Sequence, residues 1–346
     1  DLVRSRGLGD VYKRQVSAVA YLSQINMMIS AVGTGLAVGA SIKVSQAYGA
    51  GDFMLVKKRV STMFAMCGAL GIAILLVLVP FTPEFLRLMN TPEEFIADGS
   101  TYFRLELFGM VITFFNNVYI AIERARGNSK RILILNTAVI VVKLGLTAWF
   151  VYGLGGGINM ISCATIISQS FLLLAACINM NQKGNAFGFS LRAISIKKEV
   201  ICPMLTLSFP VIVERIAFAV GKVIVNSMST VYGSWTVGAL GISNNIGGIT
   251  TNPQNGFQEG GSSIISQNLG AGRPKRALLA FRWVIYIDML IGLVIMTASL
   301  LCLNQLAGLF AGDNAEFAGM IKQIYRFEAV GAIPVSYTHL RAHETV

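Results

Sequence analysis

The chain has 346 residues, of which 54% are hydrophobic and only 13% are charged, and its formal net charge is +11. A soluble protein carries about 25% charged residues. The composition therefore excludes a soluble globular protein and predicts an all-α protein that crosses a membrane many times. The basic charge would also fit a nucleic-acid-binding protein, an interpretation that depends on where the charges lie.

The two ends of the chain are predicted to be foreign to it. Residues 5–15 and 335–344 can be encoded by inverted copies of one DNA string, which resembles the adapter used in transposase-based sequencing libraries. Segments 1–15 and 335–346 are therefore left out of the fold prediction, as fusion scars are. The alternative is a basic N-terminal arm and a polar tail. Both histidines of the chain lie in the second segment, so histidine-based catalysis and metal binding are not expected.

Nine membrane spans are predicted, because a helical crossing needs about 20 mostly apolar residues. They lie near residues 16–47, 60–80, 99–122, 132–152, 158–180, 203–230, 235–268, 277–303 and 317–334.

The charges between these spans alternate. One set of connections holds most of the basic residues: Lys57, Lys58 and Arg59; Arg124, Arg126, Lys130 and Arg131; Lys183, Arg192, Lys197 and Lys198; Arg273, Lys275 and Arg276. The other set holds Arg87 together with several acidic residues. By the positive-inside rule, the basic connections are cytoplasmic. This placement explains the net charge, and no nucleic-acid partner is expected.

The sequence also repeats itself. Val16–Asp52 aligns without a gap on Val237–Arg273, with 11 of 37 positions identical, and both copies contain Gly-Ala-Gly. Phe103–Gly109 aligns in the same way on Tyr325–Gly331. Duplicated membrane halves are typical of secondary transporters, which handle substrate between the halves.

The repeat predicts the domain organisation. Residues 16–183 form an N-lobe that lacks its first helix, and residues 200–334 form a C-lobe that lacks its last two helices. Residues 184–199 form a cytoplasmic linker. The intact protein is expected to have two homologous lobes of six helices.

Four motifs carry a family resemblance: Ser45–Asp52 (SQAYGAGD), Arg124–Asn128 (RARGN), Ala164–Gln169 (ATIISQ) and Gln267–Arg273 (QNLGAGR). These four motifs, and their positions relative to the predicted spans, resemble those of the multidrug and toxic compound extrusion (MATE) transporters. The resemblance implies two six-helix lobes around a central cavity. It also implies export of organic substrates against an inward flow of H+ or Na+.

Glu214 is the first candidate for cation coupling or substrate binding. Charged side chains inside a span cost at least about 2.5–3.5 kcal/mol each, so each needs a function or a partner. Glu214 follows Pro210, a candidate hinge, by about one helical turn, and Lys222 lies near the same helical face. Some members of the family carry an acidic residue in this seventh helix. The alternative is a static ion pair between Glu214 and Lys222 or Arg215.

Lys143 in the fifth family helix is the second candidate, together with Asn136 two helical turns earlier. Related proteins often have Asn or Asp near this point, beside a first-helix Asp that serves cation coupling. An ammonium group there would repel Na+ and could itself replace the coupling ion. The alternative is a lysine that snorkels to the interface or pairs with Glu106.

The third candidate is the unusually polar span within residues 243–268. Such a helix does not face lipid, so it lines a water-filled cavity or packs inside protein. Gly247, Gly248 and Pro253 are candidate hinges. The alternative to cavity lining is hydrogen bonding between helices. The candidate cavity-lining residues are Asn244, Asn245, Asn252, Gln254, Asn255, Gln258 and Glu259.

Other intramembrane charges are interpreted more simply. Arg104 and Glu106 recur as Arg326 and Glu328. Residues two apart do not face each other on a helix, so each is expected to pair with another helix. Asp288 is a lesser candidate for function.

The leading hypothesis is therefore a secondary antiporter that exports organic, drug-like substrates in exchange for H+ or Na+ by alternating access. It needs no cofactor besides the coupling ion, and it works as a monomer in contact with lipid in the inner membrane of a bacterium. One alternative is a flippase for a lipid-linked or polysaccharide precursor, which a broad basic patch in the cavity would favour. A second is a non-transporting scaffold. An enzyme is not expected, since no nucleophile–base set or metal-ligand set is evident.

Overall fold

The computed structural model describes residues 2–88, 96–182, 184–312 and 314–344, and in these ranges all regular structure is helical. A π-helical turn at Trp149–Gly153 extends α5, and 3-10 turns lie at Leu191–Ala193 and Thr230–Tyr232. The α-helices are α1 Leu2–Gly49, α2 Phe53–Leu78, α3 Thr82–Leu88, α4 Ile96–Arg126, α5 Ser129–Ala148, α6 Ile158–Met180, α7 Lys198–Ser229, α8 Ser234–Gly270, α9 Pro274–Leu301, α10 Leu303–Ala311 and α11 Ala315–Glu344.

Seven of the described helices are long and apolar enough to cross a membrane. They include the predicted spans except 235–268 and 317–334. Those two spans coincide with α8 and α11, which are long helices but do not belong to the seven. The predicted all-α, multi-span class is thus confirmed, whereas the count of nine spans is not.

The helices expose a large apolar surface. On α5, Leu133, Val141 and Leu144 are each more than 60% exposed, and Val139 is the buried residue of this helix. A monomeric soluble protein rarely leaves so much contiguous apolar surface in water. This surface is suited to contact with lipid.

The chain divides into two compact units. Unit 1 comprises Asp1–Ala47 and Asp52–Ala219, and unit 2 comprises Tyr48–Gly51 and Val220–Val346. In unit 1, α4 packs against α2, α3, α5 and α6. In unit 2, α8 packs against α9 and α11, and α10 packs against α11. The predicted linker at 184–199 lies inside unit 1, and the predicted lobe limits stay predictions.

Each unit has an apolar core. In unit 1, Leu86 of α3 is fully buried with Phe103 and Phe114 of α4. In unit 2, Ile246 of α8 is fully buried with Ile321 of α11. These cores fix the helices that carry the polar groups described below.

Three helices end in the same glycine-dependent cap. Gly51, Gly127 and Gly272, which follow α1, α4 and α8, have φ values of 77°, 84° and 66°, a left-handed conformation that glycine adopts readily. The next residue donates its N–H to the carbonyl five residues earlier, as in a Schellman motif: Asp52 to Ala47 at 3.1 Å, Asn128 to Glu123 at 2.9 Å and Arg273 to Asn268 at 2.9 Å. The repeated Gly-Ala-Gly turns of the sequence therefore encode a repeated helix cap.

Candidate functional site

The predicted coupling residue Glu214 lies in α7, a helix that contains Pro203 and Pro210. Glu214 and Arg215 are half-buried, and their opposite charges attract. Arg215 in turn repels Arg124 of α4. Glu214 thus lies beside a group of basic side chains within unit 1.

The other predicted coupling residues lie on α7 and α5. Lys222 of α7 is exposed and belongs to unit 2. On α5, Asn136 is half-buried and Lys143 is exposed. The predicted roles of these three residues stay predictions.

Glu106, the alternative partner considered for Lys143, bonds to two other helices. Its Oε2 accepts a hydrogen bond from Asn26 Nδ2 of α1 at 3.2 Å, and its Oε1 accepts one from Ser162 Oγ of α6 at 2.7 Å. The sequence predicted a pairing of this glutamate with another helix, and the structure confirms it. Arg104, two residues earlier, is exposed.

Two consecutive amides extend the polar contacts of α4. Asn116 Nδ2 donates to the backbone carbonyl of Gln169 at 2.9 Å and to its side-chain Oε1 at 2.7 Å. Asn117 Nδ2 donates to Thr34 Oγ1 of α1 at 3.2 Å. Gln169 is the last residue of the ATIISQ motif, whose glutamine therefore connects α6 to α4.

A buried carboxylate lies at the end of α4. Glu123 is 1% exposed and accepts hydrogen bonds from Asn128 Nδ2 at 2.8 Å and Asn179 Nδ2 at 3.2 Å. Ion pairs to Arg131 and Arg126, at 3.7 and 3.8 Å, neutralise it. A buried charge is tolerated when it is paired and hydrogen-bonded in this way. Glu123, through Arg131 of α5 and Asn179 of α6, thus holds α4, α5 and α6 together.

Two of the seven candidate cavity-lining residues face α9. Gln258 Nε2 donates to Asp288 Oδ2 at 2.7 Å, and Gln254 Nε2 donates to the Asp288 backbone carbonyl at 3.4 Å. Gly292 leaves the room for Gln254, since a Cβ there would lie 2.3 Å from the amide nitrogen. Asp288 is fully buried. Gln254 and Gln258 therefore have the arrangement of the alternative interpretation, hydrogen bonding between helices.

The other five candidates on α8 differ in exposure. Asn245, Asn252 and Asn255 are exposed, and Asn244 and Glu259 are half-buried. Asn244 Nδ2 donates to the carbonyl one turn earlier in its own helix, at 3.0 Å. Cavity lining by these five residues stays a prediction.

The candidate hinges lie inside continuous helices. α8 runs without a break through Gly247, Gly248 and Pro253, and α7 does so through Pro210. A proline inside a helix removes one backbone hydrogen bond. Bending at these points stays a prediction.

The second repeated glutamate, Glu328, lies in α11 and accepts a hydrogen bond from Ser243 Oγ of α8 at 2.5 Å. The hydroxyls of Tyr325 and Ser299 are 2.7 Å apart and join α11 to α9. Glu328 is thus the C-terminal counterpart of Glu106, and it also pairs with another helix, as the sequence predicted.

Comparison with known proteins gives this arrangement a family. A family model described as MatE matches residues 7–149 and 210–341. The chain belongs to the MatE family. The resemblance inferred from the four motifs is therefore confirmed.

Relatives of this MatE chain are bacterial proteins named for multidrug resistance or export. It is 26% identical over 306 residues to the probable multidrug resistance protein YoeA of Bacillus subtilis (strain 168), covering 86% of this chain and 66% of that protein. It is 23% identical over 306 residues to the multidrug export protein MepA of Staphylococcus aureus (strain NCTC 8325 / PS 47), covering 87% and 66%. The chain spans just under two thirds of the length of these relatives. Their names are those of transport proteins, as the sequence led us to expect, and not of enzymes.

Solved structures share the fold of this MatE chain. One, described as the outward-facing conformation of a multidrug resistance MATE family transporter of the MOP superfamily, has a TM-score of 0.87 at 22% identity and covers 94% of this chain and 73% of its own. A MOP superfamily transporter from Pyrococcus furiosus Vc1 (DSM3638) has a TM-score of 0.86 at 22% identity and covers 95% and 74%. Both comparisons show the fold of a multi-pass membrane protein.

Several of these polar contacts were not predicted from the sequence. Asn116 and Asn117 are adjacent amides in the middle of an otherwise apolar span, a signal of internal packing that was available in the sequence. Their partners are distant along the chain, so the sequence alone could not identify them.

Proposed function

We propose that the intact MatE protein is a secondary antiporter that exports organic, drug-like compounds in exchange for H+ or Na+. Relatives named multidrug resistance and multidrug export proteins support the substrate class. The observation that carries the proposal is the half-buried carboxylate of Glu214 within a helix that can span the membrane. A carboxylate at such a place is a group to which a proton or a metal cation can bind.

In the proposed mechanism, the coupling ion competes with Arg215 for Glu214. Without the ion, the guanidinium of Arg215 compensates the carboxylate charge. When a proton or Na+ binds to Glu214, that attraction weakens, and the repulsion from Arg124 moves the Arg215 guanidinium away from its position beside the carboxylate. An ion can drive transport only if it binds one conformation better than the other. Rearrangement of this charged group would supply that difference.

The test is Glu214→Gln in protein expressed from the complete gene, with efflux of a fluorescent organic cation measured in cells. The amide keeps the shape of the side chain but does not exchange a proton or compensate a cation, so efflux is expected to fall to the level of cells without the gene. Expression, measured by immunoblot, should not change. Glu199→Gln is the matched control, because Glu199 lies in the first turn of the same helix and is exposed. Full efflux by the Glu214 variant would overturn the proposal.

The coupling ion is assigned by imposing one gradient at a time on proteoliposomes. A sodium gradient without a pH difference drives efflux only if Na+ is coupled, and a pH gradient in sodium-free buffer drives it only if H+ is coupled. We further propose that the protein acts as a monomer in the inner membrane, with its basic connections in the cytoplasm.

A second candidate function is a flippase for a lipid-linked or polysaccharide precursor. The observation that favours it is the basic pair formed by Arg124 and Arg215, both half-buried, because guanidinium groups bind phosphates well. Transport of an anionic lipid headgroup by the wild type, without efflux of organic cations, would support this alternative.

A further inference from the structure

A small cavity in unit 2 contains a carboxylate. It lies between α8, α9 and α11 and is lined by Gly247, Thr250 and Thr251, by Met296, and by Tyr325, Glu328 and Ala329. Glu328 is the charged group among these lining residues. Glu328 is half-buried, and a carboxylate withdrawn from water among helices needs a compensating partner, because a buried charge without one is costly.

The internal repeat shows what is different about this carboxylate. In the alignment of the two copies, Glu106 corresponds to Glu328 and Asn26 corresponds to Gly247. In unit 1, the Asn26 amide donates to Glu106. In unit 2, Gly247 has no side chain to donate, and a Cβ on it would lie 2.9 Å from Glu328 Oε1. The Glu328 carboxylate thus approaches the Gly247 backbone closely, and the second copy has no side-chain donor at the position where the first copy has the Asn26 amide.

A second group in the cavity also points to a ligand. Thr250 is 3% exposed, and its Oγ1 has no hydrogen-bond partner among the residues that the structure describes. The corresponding residue of the first copy is Ile29, which packs against the apolar core around Phe103. A buried hydroxyl without a partner is destabilising. A hydroxyl at this position is therefore better explained by a ligand than by packing.

We propose that this cavity is a binding site for a small monovalent metal cation, with Na+ as the fitting ion. The Glu328 carboxylate supplies the compensating charge, and Thr250 Oγ1 supplies a neutral oxygen ligand. Oxygen donors of this kind are preferred by hard cations. The Ser243 hydroxyl, which donates to Glu328 Oε2, orients the carboxylate and leaves Oε1 toward the cavity. Binding at this site does not depend on what the protein exports, and only a role of the site in antiport rests on the proposed function.

The protein is expressed from the complete gene and purified in detergent buffer without unlabelled sodium. The test then measures how much radioactive sodium it binds. We expect saturable binding that Glu328→Gln weakens at least about tenfold, equivalent to about 1.4 kcal/mol. Glu316→Gln is the matched control, because Glu316 is exposed in the first turn of the same helix. Sodium binding by the Glu328 variant with the affinity and stoichiometry of the wild type would overturn the proposal, as would absence of sodium binding to the wild type.

Two further variants keep the test decisive if Glu328→Gln does not fold. Thr250→Val has nearly the same shape and removes a hydroxyl without a described protein partner, so it should fold while binding sodium more weakly. Gly247→Asn introduces the amide that Asn26 provides in the first copy, and it should lower the affinity more than Gly247→Ala does. Unchanged affinity in Thr250→Val and Gly247→Asn would exclude the cavity as the site.

The outcome is separable from that of the proposed antiport. Glu214→Gln is expected to lose efflux and to keep the sodium-dependent rise in melting temperature that binding at Glu328 produces. If the wild type exports nothing but its melting temperature rises with sodium, and this rise is lost in Thr250→Val, then the cation site stands and the antiporter proposal fails.

Discussion

Two carboxylates of α4, the buried Glu123 and the half-buried Glu106, differ in how their charge is balanced. Glu123 is balanced by Arg126 and Arg131. Glu106 receives neutral donors, an amide and a hydroxyl, from two other helices. Hydrogen bonds to an ionised group are stronger than bonds between neutral groups. The donors to Glu106 should therefore contribute measurably to the stability of unit 1.

We predict that Ser162→Ala lowers the free energy of unfolding by about 1.5–3 kcal/mol, the range for a hydrogen bond to a charged group. Ser168→Ala is the matched control on the same helix. Ser168 is equally buried, but its hydroxyl donates to the Ala164 carbonyl of its own helix, which already has a helical partner. Unfolding in detergent, followed by circular dichroism, measures both variants. Equal losses in the two variants would show that the bond to Glu106 adds nothing.

Part of this residue-scale chemistry could be predicted from the sequence. The recurrence of Glu106 as Glu328, each two residues after an arginine, predicted a partner on another helix. The identity of the partners could not be predicted, since Asn26 and Ser162 lie far from Glu106 in the chain. The sequence likewise did not decide whether Gln258 lines a cavity or forms a hydrogen bond to another helix. The packing of α8 on α9 shows its hydrogen bond to Asp288.

At the scale of helices, unit 1 contains a close approach between α1 and α7. A Cβ on Gly39 would lie 2.3 Å from the Ser208 Cα, and one on Gly35 would lie 2.9 Å from the Ile212 Cα. The two glycines and their two partners are each four residues apart, as in small-xxx-small packing of membrane helices. Ser208 Oγ also donates to the carbonyl of Leu36 at 3.2 Å. Backbone contact, rather than side-chain interdigitation, joins these helices.

We predict that Gly39→Ala destabilises the protein by about 1–3 kcal/mol, the usual cost of overpacking, because the neighbouring atoms are backbone and cannot rotate away. Gly145→Ala is the matched control within α5, where nothing lies within 4 Å of the added Cβ. It should be neutral or stabilising by up to about 1 kcal/mol, since alanine favours a helix more than glycine does. The melting temperatures of the purified variants decide the matter. A Gly39 variant as stable as the Gly145 variant would contradict the close packing of α1 and α7.

The helices themselves could largely be predicted from hydrophobic length, because a membrane span must satisfy its backbone internally. Every predicted span coincides with a long helix, although α1, α2 and α11 extend well beyond the predicted limits. Apolar length does not identify α8 as a span, because polar residues such as Asn252 and Asn255 interrupt its apolar pattern. Mean hydropathy identifies a span that faces lipid. It does not identify a helix whose polar side chains form hydrogen bonds to neighbouring helices.

For the whole molecule, crossing of the membrane by α8 determines which connections share one side. α3 and α10 are too short to cross, since nine residues span about 14 Å of a 30 Å core. Between Lys57, near the start of α2, and Lys275, near the start of α9, lie the long helices α2, α4, α5, α6, α7 and α8. If all six cross, both lysines are on one side. If α8 does not cross, they are on opposite sides.

We predict that Lys57 and Lys275 are both cytoplasmic, because the positive-inside rule places both basic connections there and because both follow the same Gly-Ala-Gly cap. Single cysteines are introduced at these exposed positions, with the five native cysteines replaced by alanine. A membrane-impermeant maleimide should label them only after the cells are permeabilised. Leu154→Cys and Asn314→Cys, also exposed, are the opposite-side controls and should be labelled in intact cells. Labelling of the Lys275 variant but not the Lys57 variant in intact cells would mean that α8 does not cross, and the two copies of the repeat would then not share one orientation in the membrane.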